Sequence, residues 1–379
     1  MIQWIERVLR SLPSCVFCVF LATGAGCAGP KLEPLPQQQH NRFRAMAIKT
    51  LEDAAFGDSP TLRMQAIEAF KEVAPIEGME RLAIPLNIEN DYPGASFAAL
   101  MAIGEARPKD LISERLLDAI RTRAESQNKL VRMAAIFALH RLGDPSRTSE
   151  LSLLLLDDPD ARIRANAALV IGRLGGKEHI KLLRVALNRE KKSAAKLQIL
   201  ESLAVMEDEH AIRRLIFHGY SKYADQATLA LMMLAGTKSQ EAEELFWHRF
   251  RMDSDFPEIR LQAARGLAAL GHDEGRNLAL KHLFFSSPKH VTKDDPTHRQ
   301  VERVRALAAL ALEAIADPEV LGTLKQAFET QGQSEYVRIA VARAAIRTID
   351  RSGHVASSGK TKPRQDSWQR SPLAGRSPD

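Results

Sequence analysis

The sequence predicts an all-α protein, an α-solenoid in which about nine two-helix units stack as a right-handed superhelix. Three observations predict it. A short pattern of apolar, arginine, alanine and glycine positions returns at a spacing of 32 residues. Its apolar positions share one face of a helix. The composition, 45% apolar but only 6% aromatic, is rich in Ala and Leu and lacks alternating β-branched runs, so the interior is built from closely packed helices.

The unit is clearest in DPDARIRANAALVIGRLG, residues 158–175. Counted from Arg164, Ile163 stands at −1, Ala167 at +3, Ile171 at +7, Leu174 at +10 and Gly175 at +11. Moved back 32 residues the template reads Val131, Arg132, Ala135, Leu139, Leu142 and Gly143, and moved forward 96 it reads Ile259, Arg260, Ala263, Leu267, Leu270 and Gly271. Looser copies surround Arg63, Ser96, Lys196, Arg305 and Arg338, and a degenerate one spans 224–236. Positions −1, +3, +7 and +10 make an apolar stripe that a single unit cannot bury, so units must stack. Ala at +3 admits a neighbouring backbone, Gly at +11 offers the left-handed position that ends a helix, and Asp160 is placed to cap the next helix start. Arg63, Arg132, Arg164, Arg260, Arg305 and Arg338 recur with the template, and are expected to form a structural ladder that ties turns together.

The pattern DP-x-x-x-(V/I)-R-x-x-A-A-x-x-(I/L)-x-x-L-G resembles the HEAT repeat family, in its short class named after the phycobilisome lyases, over residues 42–350. That resemblance implies a protein-binding scaffold with a concave surface. Two groups of enzymes share the architecture. Deoxyhypusine hydroxylases draw iron ligands from His-Glu pairs in successive repeats, and none of the eleven histidines here is followed by Glu. Phycobilin lyases act as paired subunits on a tetrapyrrole in the cytosol, which the leader described next argues against. The expectation is a non-enzymatic scaffold with no cofactor and no small-molecule substrate; the alternatives are a phycobilin-lyase-like enzyme subunit or a structural component of an envelope complex.

The first 26 residues read as a signal peptide. Arg7 and Arg10 precede an apolar stretch from Leu12 to Ala22, which is shorter than the roughly 20 residues of a comfortable membrane span. Gly24-Ala25-Gly26 before Cys27 resembles the lipobox of bacterial lipoproteins, which implies lipidation at Cys27 and a membrane anchor. Gly24 stands where that pattern has an aliphatic residue, so cleavage after Ala25 without lipid and a retained anchor are the other readings. Residues 27–41, rich in Pro and Gln, read as a flexible tether. All three cysteines, Cys15, Cys18 and Cys27, fall in the first 27 residues. The rest of the chain therefore has neither disulfides nor cysteine-based metal sites.

The net charge of +6 resides mainly at the termini. Residues 1–26 carry +1 and 351–379 carry +4, which leaves +1 for the body. A basic pI distributed in this way excludes a nucleic-acid groove on the folded part. Residues 351–379, rich in Ser, Pro, Gly and Arg, read as a disordered basic tail. Residues 286–298 interrupt the repeat, and His290, Asp294, Asp295 and His298 there are candidates for contact with a protein partner. Glu243–Arg251 concentrates aromatics, and Leu245, Phe246, Trp247 and Phe250 are expected to form the core face of a helix.

Overall fold

The computed structural model describes residues 34–358 except 82, 107–111, 254–255 and 289–290, with no side chains beyond residue 353. The leader, Cys27, His290 and residues 359–379 lie outside the described residues. Among the described residues there are eighteen α-helices and no strand, arranged as nine consecutive pairs. The first pair is α1 (Gln37–Phe56) with α2 (Pro60–Val73); α3 (Pro75–Glu80) with α4 (Pro93–Ala106) and α5 (Glu114–Ala124) with α6 (Lys129–Leu142) follow. The middle pairs are α7 (Ser149–Asp157) with α8 (Ala161–Leu174), α9 (Lys177–Arg189) with α10 (Ser193–Val205), and α11 (Glu209–Gly219) with α12 (Ala224–Thr237). The last are α13 (Glu243–Arg251) with α14 (Pro257–Ala269), α15 (Arg276–Leu283) with α16 (Thr297–Ile315), and α17 (Leu321–Glu329) with α18 (Glu335–Ser358).

The template residues do locally what their chemistry requires. Asp160 accepts a hydrogen bond from the Arg162 amide at 2.8 Å and caps α8. Gly143, Gly175 and Gly271 follow α6, α8 and α14 with φ of 109°, 75° and 98°, backbone that favours a residue without Cβ. The +3 alanines Ala66, Ala99, Ala135, Ala167, Ala263 and Ala308 have no exposed surface at all. Enlarging one must push two helices apart, so Ala167→Leu is expected to cost about 1–3 kcal/mol; an unchanged midpoint in denaturant unfolding would show that the close approach is not needed.

The even-numbered helices form the inner wall. Each packs on the next, α2 on α4, α4 on α6 and so on to α16 on α18, and α18 packs in turn on α1 and α2. The stack therefore closes into a ring, and the concave surface expected of an open solenoid is the lumen of that ring. Closure follows from the last helix. A terminal repeat ordinarily turns a polar face outward, but Val337, Ile339, Val341, Ala342, Ala345 and Ile346 of α18 are all buried, on more faces than one neighbour could cover. The seam joins residues about three hundred positions apart. Arg44 donates to Asp350 from Nε at 2.7 Å and from a terminal nitrogen at 3.0 Å, and also to Glu77 at 2.5 Å. Phe43 meets the Phe328 ring edge-on at 5.5 Å between centroids.

The ends differ from the expected boundaries. The helix α1 starts at Gln37, within the segment expected as tether, because His40 and Phe43 are buried and His40 bonds the Leu35 carbonyl at 3.0 Å. At the other end α18 continues to Ser358, past the expected tail boundary at 351. There Arg351 donates to the Ala314 carbonyl at 3.4 Å.

Candidate functional site

The recurring arginines act at the ends of the outer helices. Arg63 donates to the carbonyls of Phe56 and Gly57, Arg132 to that of Ser126 at 2.6 Å, Arg164 to that of Asp158 at 2.7 Å, Arg260 to that of Phe250 at 3.1 Å and Arg305 to that of Phe285 at 2.7 Å. Each guanidinium satisfies carbonyls that the outer helix of its own unit leaves open. Arg338 differs, since its Nε is buried with no partner among the described residues.

Arg164 also grips Glu190 with two bonds, at 2.7 and 2.9 Å, and the amides of Lys191 and Lys192 donate to the same carboxylate at 2.8 Å each. The Arg164 bonds, helped by those amides and opposed by burial, hold the Glu190 carboxyl down at about 2. A depressed carboxyl stabilises the fold above its ordinary 4.5, and that contribution is lost as pH falls from there toward 2. Glu190→Gln is expected to lose about 2 kcal/mol at pH 7 and to match the wild type near pH 2. Equal stability of the two proteins at pH 7 would count against the pairing.

In the insertion, Asp295 is not a surface contact residue. It is buried, and Arg303 clamps both its oxygens at 3.0 and 2.9 Å while also donating to Glu258 at 3.0 Å. The same residue accepts Gln300 on its carbonyl at 2.7 Å, so the loop is bolted to α14 and α16. A buried carboxylate needs such partners. Asp294 and His298 are exposed. Among the described residues no group of three His, Cys, Asp or Glu is placed to hold a metal. In α13, Leu245 and Phe246 are buried, while Trp247 and Phe250 are half-buried, with the Arg251 guanidinium 4.7 Å from the Trp247 ring.

The lumen is what sequence reasoning left undescribed. Between α2, α4, α6 and α8 it widens to a cavity of about 270 Å³. Its wall mixes the apolar Met64, Phe97, Met101, Leu130 and Leu169 with Asn128, Asp160, Arg162 and Asn166 toward the N-terminal ends of these helices, and Glu68, Lys71, Glu105 and Arg173 lie further along them. Lys71 reaches Glu105 at 3.3 Å and Glu72 at 3.6 Å, and Arg173 approaches Glu105 at 3.9 Å. The remaining inner helices bring further charges. Arg343 donates to Glu313 at 2.5 Å, and Arg347 donates to the Glu72 carbonyl at 2.8 Å and stands 3.5 Å from Glu313. Across the lumen Glu201 accepts from Gln198 at 2.6 Å.

Burial acts on all of these charges, and their neighbours decide the outcome. Burial pushes the Glu201 carboxyl up, with Arg173 opposing it. Glu72 is pushed the same way by burial, but Lys71, Arg343 and Arg173 outweigh that and hold it below the usual range. Arg343 loses hydration and is held charged by Glu313 and Glu72. Such a lumen can hold a ligand with both apolar and charged parts. The clue in the sequence was a charged residue well inside an inner helix, at the positions of Glu68, Arg173, Glu201, Arg265, Glu313 and Arg343.

No family model matches the chain, and no curated protein matches its sequence. Solved structures similar to it include the complex of CpcE and CpcF of phycocyanin lyase from Nostoc sp. PCC7120, at 14% identity and a TM-score of 0.36, covering 76% of this chain and 100% of that one. Human deoxyhypusine hydroxylase in complex with glycerol is similar at 15% identity and a TM-score of 0.30, covering 83% and 98%. A mutant of Kap121p is similar at 11% identity and a TM-score of 0.32, covering 97% of this chain and 44% of that one. These neighbours are HEAT-like helical repeat proteins.

Proposed function

We propose that the protein is a non-enzymatic scaffold of the bacterial cell envelope, held to a membrane by lipid on Cys27, and that its outer face binds a protein partner. One observation supports the choice of face. Leu153 of α7, Val185 of α9 and Phe217 of α11 stand 32 residues apart and are 63%, 43% and 78% exposed, so equivalent positions of three successive outer helices form an apolar row. Tyr220 and Tyr223 extend it, both exposed. Lys181, Arg189 and Arg213 lie one helical turn from the row and are also exposed. A partner surface with apolar groups ringed by carboxylates is complementary to it. Capture from detergent-solubilised membranes should recover the same partner with wild type and lose it with Phe217→Ser; capture by both would place the contact elsewhere.

The tether rests on the lipobox resemblance, and among the described residues no helix is long and apolar enough to cross a membrane. Metabolic labelling with palmitate should mark the wild type and leave Cys27→Ala unlabelled. Absence of label on the wild type would remove the anchor from this reading.

A further inference from the structure

In α8 the residues Arg162, Asn166, Leu169 and Arg173 face the cavity. Three repeat periods later the same register in α14 is held by Glu258, Gln262, Arg265 and Ala269. Glu258 is taken by Arg303. Among the described residues, the next two of that register have neither a hydrogen-bond partner for the Gln262 amide nor an ion pair for Arg265. Gln262 is 1% exposed, and both polar atoms of its amide are buried without a hydrogen-bond partner among the described residues. For Arg265 no carboxylate of the described residues comes within ion-pair distance, although it feels Arg343, Glu313 and Glu72 from three other inner helices. Arg265 also holds the register position that faces the cavity in α8, so it points into the lumen, and part of its surface remains exposed.

The nearby carboxylates are already committed. Glu313 receives Arg343 and Arg347, and Glu72 stands beside Lys71 and Arg347. A guanidinium with no ion-pair partner beside a buried amide with no hydrogen-bond partner, both among the described residues, is a costly arrangement in isolation. It becomes favourable once an anion arrives, since a guanidinium fork binds two oxygens of one planar group. We propose that Arg265 and Gln262 form a receptor for a single carboxylate inside the ring, with the fork of Arg265 on its oxygens and the Gln262 amide donating to one of them. A carboxylate suits the site better than a phosphate dianion because Arg265 is a single guanidinium fork matching two oxygens of one planar group, and Arg343 is spent on Glu313. The residues are three apart on α14, hence on one face of the helix. The carboxylate belongs either to a small free acid or to an acidic peptide inserted into the lumen.

The test uses the purified full chain without any partner, so its failure would leave the outer-face proposal untouched. Thermal unfolding is followed while sodium acetate replaces sodium chloride at constant ionic strength, with binding measured in parallel by calorimetry. A saturable rise in Tm with acetate, absent in chloride, is expected for the wild type. Arg265→Met should abolish it while unfolding, ligand-free, at the wild-type temperature or above, because that substitution removes a charge that has no ion pair in the lumen. Arg265→Lys should keep the response with affinity weakened about tenfold, since a charge remains but the fork is lost. An acetylated and amidated peptide of glutamates, tested in the same way, separates the sources: tighter binding than acetate assigns the site to peptide side chains, and binding of acetate alone assigns it to small acids. Equal responses to acetate and chloride, or an undiminished acetate response in Arg265→Met, would overturn the proposal.

Discussion

Phe43→Ala should destabilise the ring by about 3–5 kcal/mol, the range for removing a fully buried aromatic ring. Phe43 has no exposed surface and its ring meets Phe328 across the seam, so the substitution empties the joint between the first and last units. The effect should also be localised. In an open solenoid each unit feels only its neighbours, whereas here loosening the seam frees α1 and α18 together, although they are distant in sequence. Hydrogen exchange should therefore accelerate in both helices and spare α8 and α10. A cost below about 1 kcal/mol with unchanged exchange in α18 would mean that the ring is held elsewhere.

Glu313→Leu should cost a similar amount, about 3–5 kcal/mol, for a different reason. It removes the counter-charge of Arg343 and a neighbour of Arg347, and a stranded buried cation is far worse than a buried pair. The double variant Glu313→Leu with Arg343→Met replaces the pair by apolar groups, so it should recover most of the loss. Denaturant unfolding of the two singles and the double tests this as a cycle. Additive losses would show that the two residues do not act as a pair. Neighbouring arginines on one lumen wall are expected to respond with opposite signs, because Arg343 has a carboxylate and Arg265 has none.

Much of this fold was legible in the sequence, and particular residues show why. The template around Arg164 combines helix periodicity, a cap at Asp160 and a stop at Gly175, all decided within a few residues of chain. The structure places helix boundaries accordingly, and even the degenerate copy at 224–236 is the helix α12. Asp295 was not legible. In sequence it is one acid in a polar insertion, and only the approach of Arg303 from the following helix, joined to Glu258 from α14, makes it an internal clamp. The outer apolar row was hidden differently. Leu153, Val185 and Phe217 sit among the buried leucines of their own helices, and exposure distinguishes them only after the outer helices have been laid side by side.

The sequence by itself determined that the chain forms paired helices, where they start and stop, and that they must stack, because those properties depend on local periodicity and on an apolar stripe that every unit shares. Tertiary structure alone decided that the stack closes, and so which charges meet. The number of units and the small rotation between them add up over the whole chain, and no local pattern records that sum. Lys71, Glu105, Arg173, Glu201, Arg265, Glu313 and Arg343 come from seven different helices. Their encounter in one lumen is a product of closure, which is why this cluster of charges could not be read from any one repeat.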